Sequence, residues 1–185
     1  MSIGLETQSP VSCRHGAAAE GLVDPIGAIE NEDRNEVAMC RRLAAIVDDI
    51  AAEATQEHAE AVLQYLIALL PAHDADKSNL SPLLRQRCPP EDRIDEILDR
   101  LHSDQVRYAE LVGRLEPDLV ALASGGAVAR PLNFVMHALA FAEARERQIA
   151  LECHVVLPLA ARRLTSSDLV QLGARMAERR FAGPA

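Results

Sequence analysis

Helical spacing of apolar residues, broken at intervals by prolines, limits what this chain can fold into. From Asp24 to about residue 180, apolar side chains recur every third or fourth position, and no segment alternates apolar and polar residues as a half-buried strand would. The first such run carries Ile26, Ile29, Cys40, Leu43, Val47 and Ile50 to about residue 53, opened by Asp24-Pro25, a capping residue followed by the proline that suits a first helical position. A second runs from about 57 to 87, and places Leu66, Leu69, Leu70, Leu80, Leu83 and Leu84 on one side, with Pro71 and Pro82 expected to kink or divide it. Pro89-Pro90-Glu91 opens a third, through Ile94, Ile97, Leu98, Leu101, Leu111 and Val112, expected to stop near Gly113. Gly125-Gly126 makes a break, and Pro131 begins a fourth, with Phe134, Phe141, Leu151, Val155 and Leu159, and Pro158 as another kink. "TSSD" at 165–168 caps a last helix through Leu169, Leu172 and Met176.

The expected fold class is therefore all-α: an antiparallel up-down four-helix bundle with a short fifth, C-terminal helix. The organisation expected with it is a flexible N-terminal tail over 1–23, the bundle over 24–180 and a C-terminal tail over 181–185. The chain is rich in Ala and Leu and has only 3% aromatic residues and no Trp, which favours helix over sheet. A net charge of −9 argues against nucleic acid and against an anionic membrane surface. No stretch approaches the ~20 apolar residues of a membrane span, and the first residues do not read as a secretory leader. Cys13, Cys40, Cys88 and Cys153 are scattered with no C-x-x-C pair, which fits a reducing, cytoplasmic setting better than a disulfide framework. "CRH" at 13–15 supplies two metal-ligand types but no more.

Each of the four stripes carries a polar anomaly. Asp33 stands a heptad after Ile26 and a heptad before Cys40. His73 and Lys77 lie one turn apart among the leucines of the second run. His102 follows Leu98 by one turn, and Gln148 follows Phe141 by a heptad, with Glu152 one turn beyond. A lone buried His is ordinarily a hydrogen-bonded core residue, Lys extends past an apolar stem to water, and Gln sets register. One anomaly per helix, however, suggests that the polar groups meet, because each costs a few kcal/mol if buried without a partner. Facing side chains in a bundle core are also where such folds hold metal ions. His58 and His154 read as surface residues, and His137 as belonging to a different layer, packed or end-exposed.

The segments "DPIGAIENEDR", "LLPAHDADKSNLSPLLRQR", "IDEILDRLHSDQ", "RQIALECHVVLPLAARRL" and "LVQLGARMAERR" together resemble the hemerythrin-like family, the HHE cation-binding domains, from about Asp24 to Arg180. The resemblance implies a metal centre inside the bundle, held by a His on the first helix, a His-x-x-x-Glu on the second, a His on the third and a His-x-x-x-Glu on the fourth. Those six positions fall on Asp33, His73, Lys77, His102, Gln148 and Glu152, so three of them depart from the family pattern. Lys77 departs furthest, since an ammonium has no lone pair and repels a cation. The resemblance thus implies a degraded two-iron site that binds at most one transition metal, Fe or Zn, through His73, His102, Glu152 and Asp33, with Lys77 and Gln148 as the degenerate positions. A two-iron centre is not expected.

The alternatives are a metal-free bundle in which Lys77 pairs with Glu152 or Asp33, acting as a structural or protein-interaction module alone or as a homodimer, and a non-haem iron enzyme or sensor for peroxide or nitric oxide. No nucleophile triad, phosphate loop or dinucleotide fingerprint points to another enzyme class.

Overall fold

A computed structural model describes residues 24–52 and 54–182. Helix α1 spans Pro25–Asp48. Helices α2 (Thr55–Gln64) and α3 (Leu70–Arg87) form one rod, joined through a π-helical turn at Tyr65–Leu69. A 3₁₀ turn at Pro90–Asp92 leads to α4 (Ile94–Ala123). Helices α5 (Pro131–Leu151) and α6 (Leu157–Arg163) form a second joined rod, through a π turn at Glu152–Val156, and α7 (Ser166–Ala182) closes the chain. Among the described residues there is no strand, and no helix is long and apolar enough to cross a membrane. The tail expected over 1–23, Cys13 and the "CRH" run included, lies outside the described residues; of the tail expected over 181–185, α7 takes in 181 and 182, and 183–185 lie outside them.

Local chemistry accounts for most of the boundaries. Asp24 Oδ1 accepts the Gly27 N–H at 2.9 Å, which caps α1 as expected. The helix ends at Asp48, earlier than residue 53, because Asp49 leaves helical geometry and its carboxylate accepts the Ala51 N–H at 3.1 Å. Thr165 and Asp168 cap α7 reciprocally: the Thr165 hydroxyl accepts from the Asp168 N–H at 3.2 Å, and Asp168 Oδ2 accepts from the Thr165 N–H at 2.9 Å. At the end of α4, Gly125 takes φ +73°, and the N–H groups of Gly125 and Gly126 satisfy the carbonyls of Leu122 and Ala121.

Two expectations about prolines and glycines are corrected. Neither Pro71 nor Pro82 divides its rod: Pro82 lies inside α3, and Pro71, like Pro158 in the second rod, follows a π turn by two residues, with its fourth preceding residue, Ile67 or His154, inside that turn. A proline ring cannot donate to that carbonyl and clashes with it, and the widened turn takes up the missing bond while the rod continues. The extra residue rotates the phase, so Leu66 and Leu70 are buried while Leu69, expected beside them, is 51% exposed. Nor does α4 stop at Gly113. It runs ten residues further because Leu115, Leu119 and Leu122 are buried, and that burial outweighs the roughly 1 kcal/mol a mid-helix glycine costs.

Helix α1 packs on α2 and α5, and α4 packs on the same two; α7 lies against α3 and α1. The interior divides into two apolar cores. One gathers Leu43, Ile46, Val62, Leu70, Leu115, Leu119, Phe134 and Phe141. The other gathers Ile29, Leu80, Leu84, Leu98, Val156, Leu172 and Met176. Along α1, α3 and α5 the residues between the two cores are polar: Asp33 and Glu36, His73 and Lys77, Arg145 and Gln148, with Glu152 just beyond α5.

Candidate functional site

This polar layer is the candidate site. His73 lies one turn after the first π turn has ended, so that turn sets the phase in which it enters, and Glu152 stands at the start of the second, still in phase with Gln148 four residues before it. Lys77 Nζ donates to Glu152 Oε2 at 2.6 Å and lies 2.7 Å from Asp33 Oδ1. The same Asp33 oxygen accepts from His73 Nε2 at 2.9 Å when the ring proton sits there. Gln148 Nε2 donates to the other Glu152 oxygen at 2.8 Å. The Lys77 side chain is only 11% exposed, and Asp33, His73, Gln148 and Glu152 are buried.

A second cation stands deeper. Arg145, fully buried, donates to both carboxylate oxygens of Glu36, the one to Oε2 from a terminal nitrogen at 2.8 Å. It also reaches Asp74 at 3.0 Å and Gln148 Oε1 at 3.2 Å, with its guanidinium 4.9 Å from the ring centroid of Tyr108. Every donor nitrogen of the guanidinium is thereby matched to an acceptor, the condition under which a buried Arg is tolerated.

Three buried carboxylates, Asp33, Glu36 and Glu152, with Asp74 at the edge, face two fixed cations. The proton affinities follow from burial set against these charges. Burial pushes the Asp33 carboxyl up, but the His73 hydrogen bond and the Lys77 charge outweigh it, and its pKa ends below the ordinary range. Burial pulls Lys77 down, yet the charges of Glu152, Asp33 and Glu36 together hold its ammonium above the ordinary value. For Glu152 burial wins: Lys77 and Gln148 offset it only in part, the nearby Asp33 charge adds to it, and the carboxyl binds its proton more tightly than usual.

The layer brings together five of the six positions named from the sequence: Asp33, His73, Lys77, Gln148 and Glu152. It does not bring in His102. That residue is exposed on α4, in the wall of a small cavity of about 160 Å³ that Lys77, Gln148 and Glu152 also line. Helix α4 buries Leu98 and then nothing until Tyr108, so it adds no side chain to the layer, and the one-turn spacing from Leu98 does not carry His102 inward. His154 is exposed, as read from the sequence. His137 is half-buried, and so is His58, which reads as a surface residue from sequence but has a buried Nδ1 without a partner.

Glu36, Arg145 and Asp74 escape a heptad-based reading. The usable signal is the i, i+3 spacing: Glu36 is three residues after Asp33, and Arg145 three before Gln148, each on the same helix face as its neighbour.

Ligand atoms of Asp33, Glu36 and His73 lie within 4.8 Å of one another, and all three residues are buried. Lys77 Nζ, however, is 2.7 Å and 3.9 Å from the Asp33 and Glu36 oxygens that approach His73 Nε2. The other ring nitrogen of His73 is buried without a partner, whereas a metal-bound imidazole ordinarily passes that N–H to an acceptor. No protein-family model, curated protein or solved structure matches this chain.

Proposed function

We propose that this chain is a cytosolic hemerythrin-like protein, an antiparallel up-down bundle with α7 as its fifth helix, in which internal cations have taken over the charge role of the metal. It serves as a structural or protein-interaction module, not as an iron enzyme. The observation that carries this reading is Lys77 Nζ, 2.6 and 2.7 Å from carboxylates on two other elements, Glu152 and Asp33. An ammonium there balances the charge that a bridging metal would balance, and it repels a cation brought to the same oxygens. Arg145 does the same for Glu36 and Asp74. A two-iron centre does not fit this donor set: Lys77 and Gln148 replace a carboxylate and an imidazole, and His102 is exposed on α4 and makes no hydrogen bond to the other five positions.

A second reading is favoured by the Asp33, Glu36 and His73 cluster and by the surplus carboxylate charge. It allows one divalent ion, Fe²⁺ or Zn²⁺, with Lys77 turned away. Elemental analysis of untagged protein, with an absorption spectrum and thermal melts before and after chelation, tests both. The proposal expects no stoichiometric metal and an unchanged melt. One tightly held ion whose removal lowers Tm supports the second reading, and two irons per chain with oxo-bridge absorption bands overturns both.

A further inference from the structure

Between Leu98 and Tyr108, helix α4 buries no side chain, and on its α5 side this leaves a cleft of about 390 Å³. That is within the range of about 300–1,000 Å³ typical of small-molecule sites. Its charge is opposite to that of the chain. Arg100 and Arg107 come from α4, seven residues or about 10.5 Å apart along the helix, and Arg147 faces them from α5, with Asp104 the one carboxylate in the lining. In a protein of net charge −9, three guanidiniums gathered on one cleft set up a local positive field.

These guanidiniums are available. Among the described residues Arg107 has no ion-pair partner, Arg100 is 3.9 Å from Asp104, and Arg147 pairs with Glu143 on its own exposed face. Exposed pairs of this kind contribute little and exchange readily for another anion. Leu101, Leu111 and Leu151, each half-buried, supply apolar wall between the charges. A free inorganic anion would leave that wall unused.

We propose that this cleft is a binding site for a small amphiphilic anion, with a carboxylate or phosphate head held by Arg107 and Arg147 and a hydrocarbon portion laid against Leu101, Leu111 and Leu151. Guanidinium forks match both head groups. None of its three arginines pairs with a layer residue, and the cleft meets the layer only where Gln148 and Tyr108 line it.

The test uses the full chain and the fluorescent sulfonate 1-anilinonaphthalene-8-sulfonate, excited and read at wavelengths where the protein neither absorbs nor emits. Decanoate and decyl phosphate compete for it, with decanol and inorganic phosphate as partial ligands. The expected result is saturable displacement by decanoate or decyl phosphate, the tighter of the two assigning the head group. Decanol and inorganic phosphate should each be weaker by about tenfold or more, as expected when a charge-assisted contact or the apolar contact is missing. The variant R107Q/R147Q should lose displacement by a similar factor while keeping the wild-type circular dichroism and melt, and R93Q, an exposed arginine outside the cleft, should bind as wild type does. Decanol competing as well as decanoate, R107Q/R147Q binding as wild type does, or no saturable displacement would each overturn the proposal.

Discussion

Replacing Lys77 by Met removes a charge and little volume, so it isolates the role of the ammonium. At 2.6 Å from Glu152, and with an effective dielectric of about 20, the pair attraction is about 6 kcal/mol. Part of that offsets the cost of burying Lys77 in the first place, so the net loss is smaller. Breaking a buried pair from one side typically costs about 3–5 kcal/mol. The structure locates this loss: Asp33 keeps its His73 hydrogen bond, whereas Glu152 keeps only Gln148.

For a chain of this size, that loss corresponds to a Tm decrease of about 6–20 °C. The decrease should also depend on pH. Without Lys77 the folded state holds the Glu152 proton still more tightly, above the ordinary 4.5, so it binds more protons than the unfolded chain. The penalty is then largest near neutrality, and it shrinks as pH falls through the raised folded value toward the ordinary one. The double variant Lys77→Met/Glu152→Gln should recover much of the loss. Lys77→Glu should be unstable alone and gain stability on addition of Fe²⁺ or Zn²⁺. Thermal and urea melts of the wild type and the three variants, with and without metal, measure all of this. If every variant stays within about 0.5 kcal/mol of wild type, as surface substitutions do, Lys77 is not the counter-charge and the argument fails.

Arg145→Met should be at least as damaging, about 3–5 kcal/mol by urea unfolding, because it strands the fully buried Glu36, and adding Glu36→Gln should restore much of it. The depressed Asp33 pKa contributes stability that is present above its ordinary value of 3.8 and is lost as pH falls through the lower folded value; Asp33→Asn should remove that part of the acid limb in urea midpoints measured against pH. Gly113→Ala should stabilise by about 0.5–1 kcal/mol, since a Cβ there meets nothing within 4 Å and the position is helical; an unchanged or lower urea midpoint would mean that α4 is not continuous there.

How far the chain can be read without its structure differs between fold and site. The helical class was legible throughout, because the stripes around Leu43, Leu84 and Phe141 repeat at the helical period, and capping residues at Asp24 and Thr165 mark their starts with local hydrogen bonds. The length of α4 was not, because Gly113 is a local signal to stop, and burial of Leu115, Leu119 and Leu122 against other helices overrides it. The polar layer was half legible. Asp33, His73, Lys77, Gln148 and Glu152 stand out as polar residues on apolar stripes, and a stripe position fixes which way a side chain points relative to its own helix.

What sequence alone decided, then, is the helical class and most of the residues on each apolar stripe, since those depend on periodicity within one helix. Leu69 and His102 leave that pattern where a π turn or the packing of α4 intervenes. Which stripe residues meet was decided by tertiary structure, through distances between helices that no local pattern encodes. The π turn before Pro71 sets the phase of His73, α4 buries nothing between Leu98 and Tyr108 and so leaves His102 exposed, and the approach of α5 to α1 gives Glu36 the guanidinium of Arg145. A charge buried between two apolar cores is stable only beside its opposite, and that partner lies 75 residues away for Lys77 and 109 for Arg145.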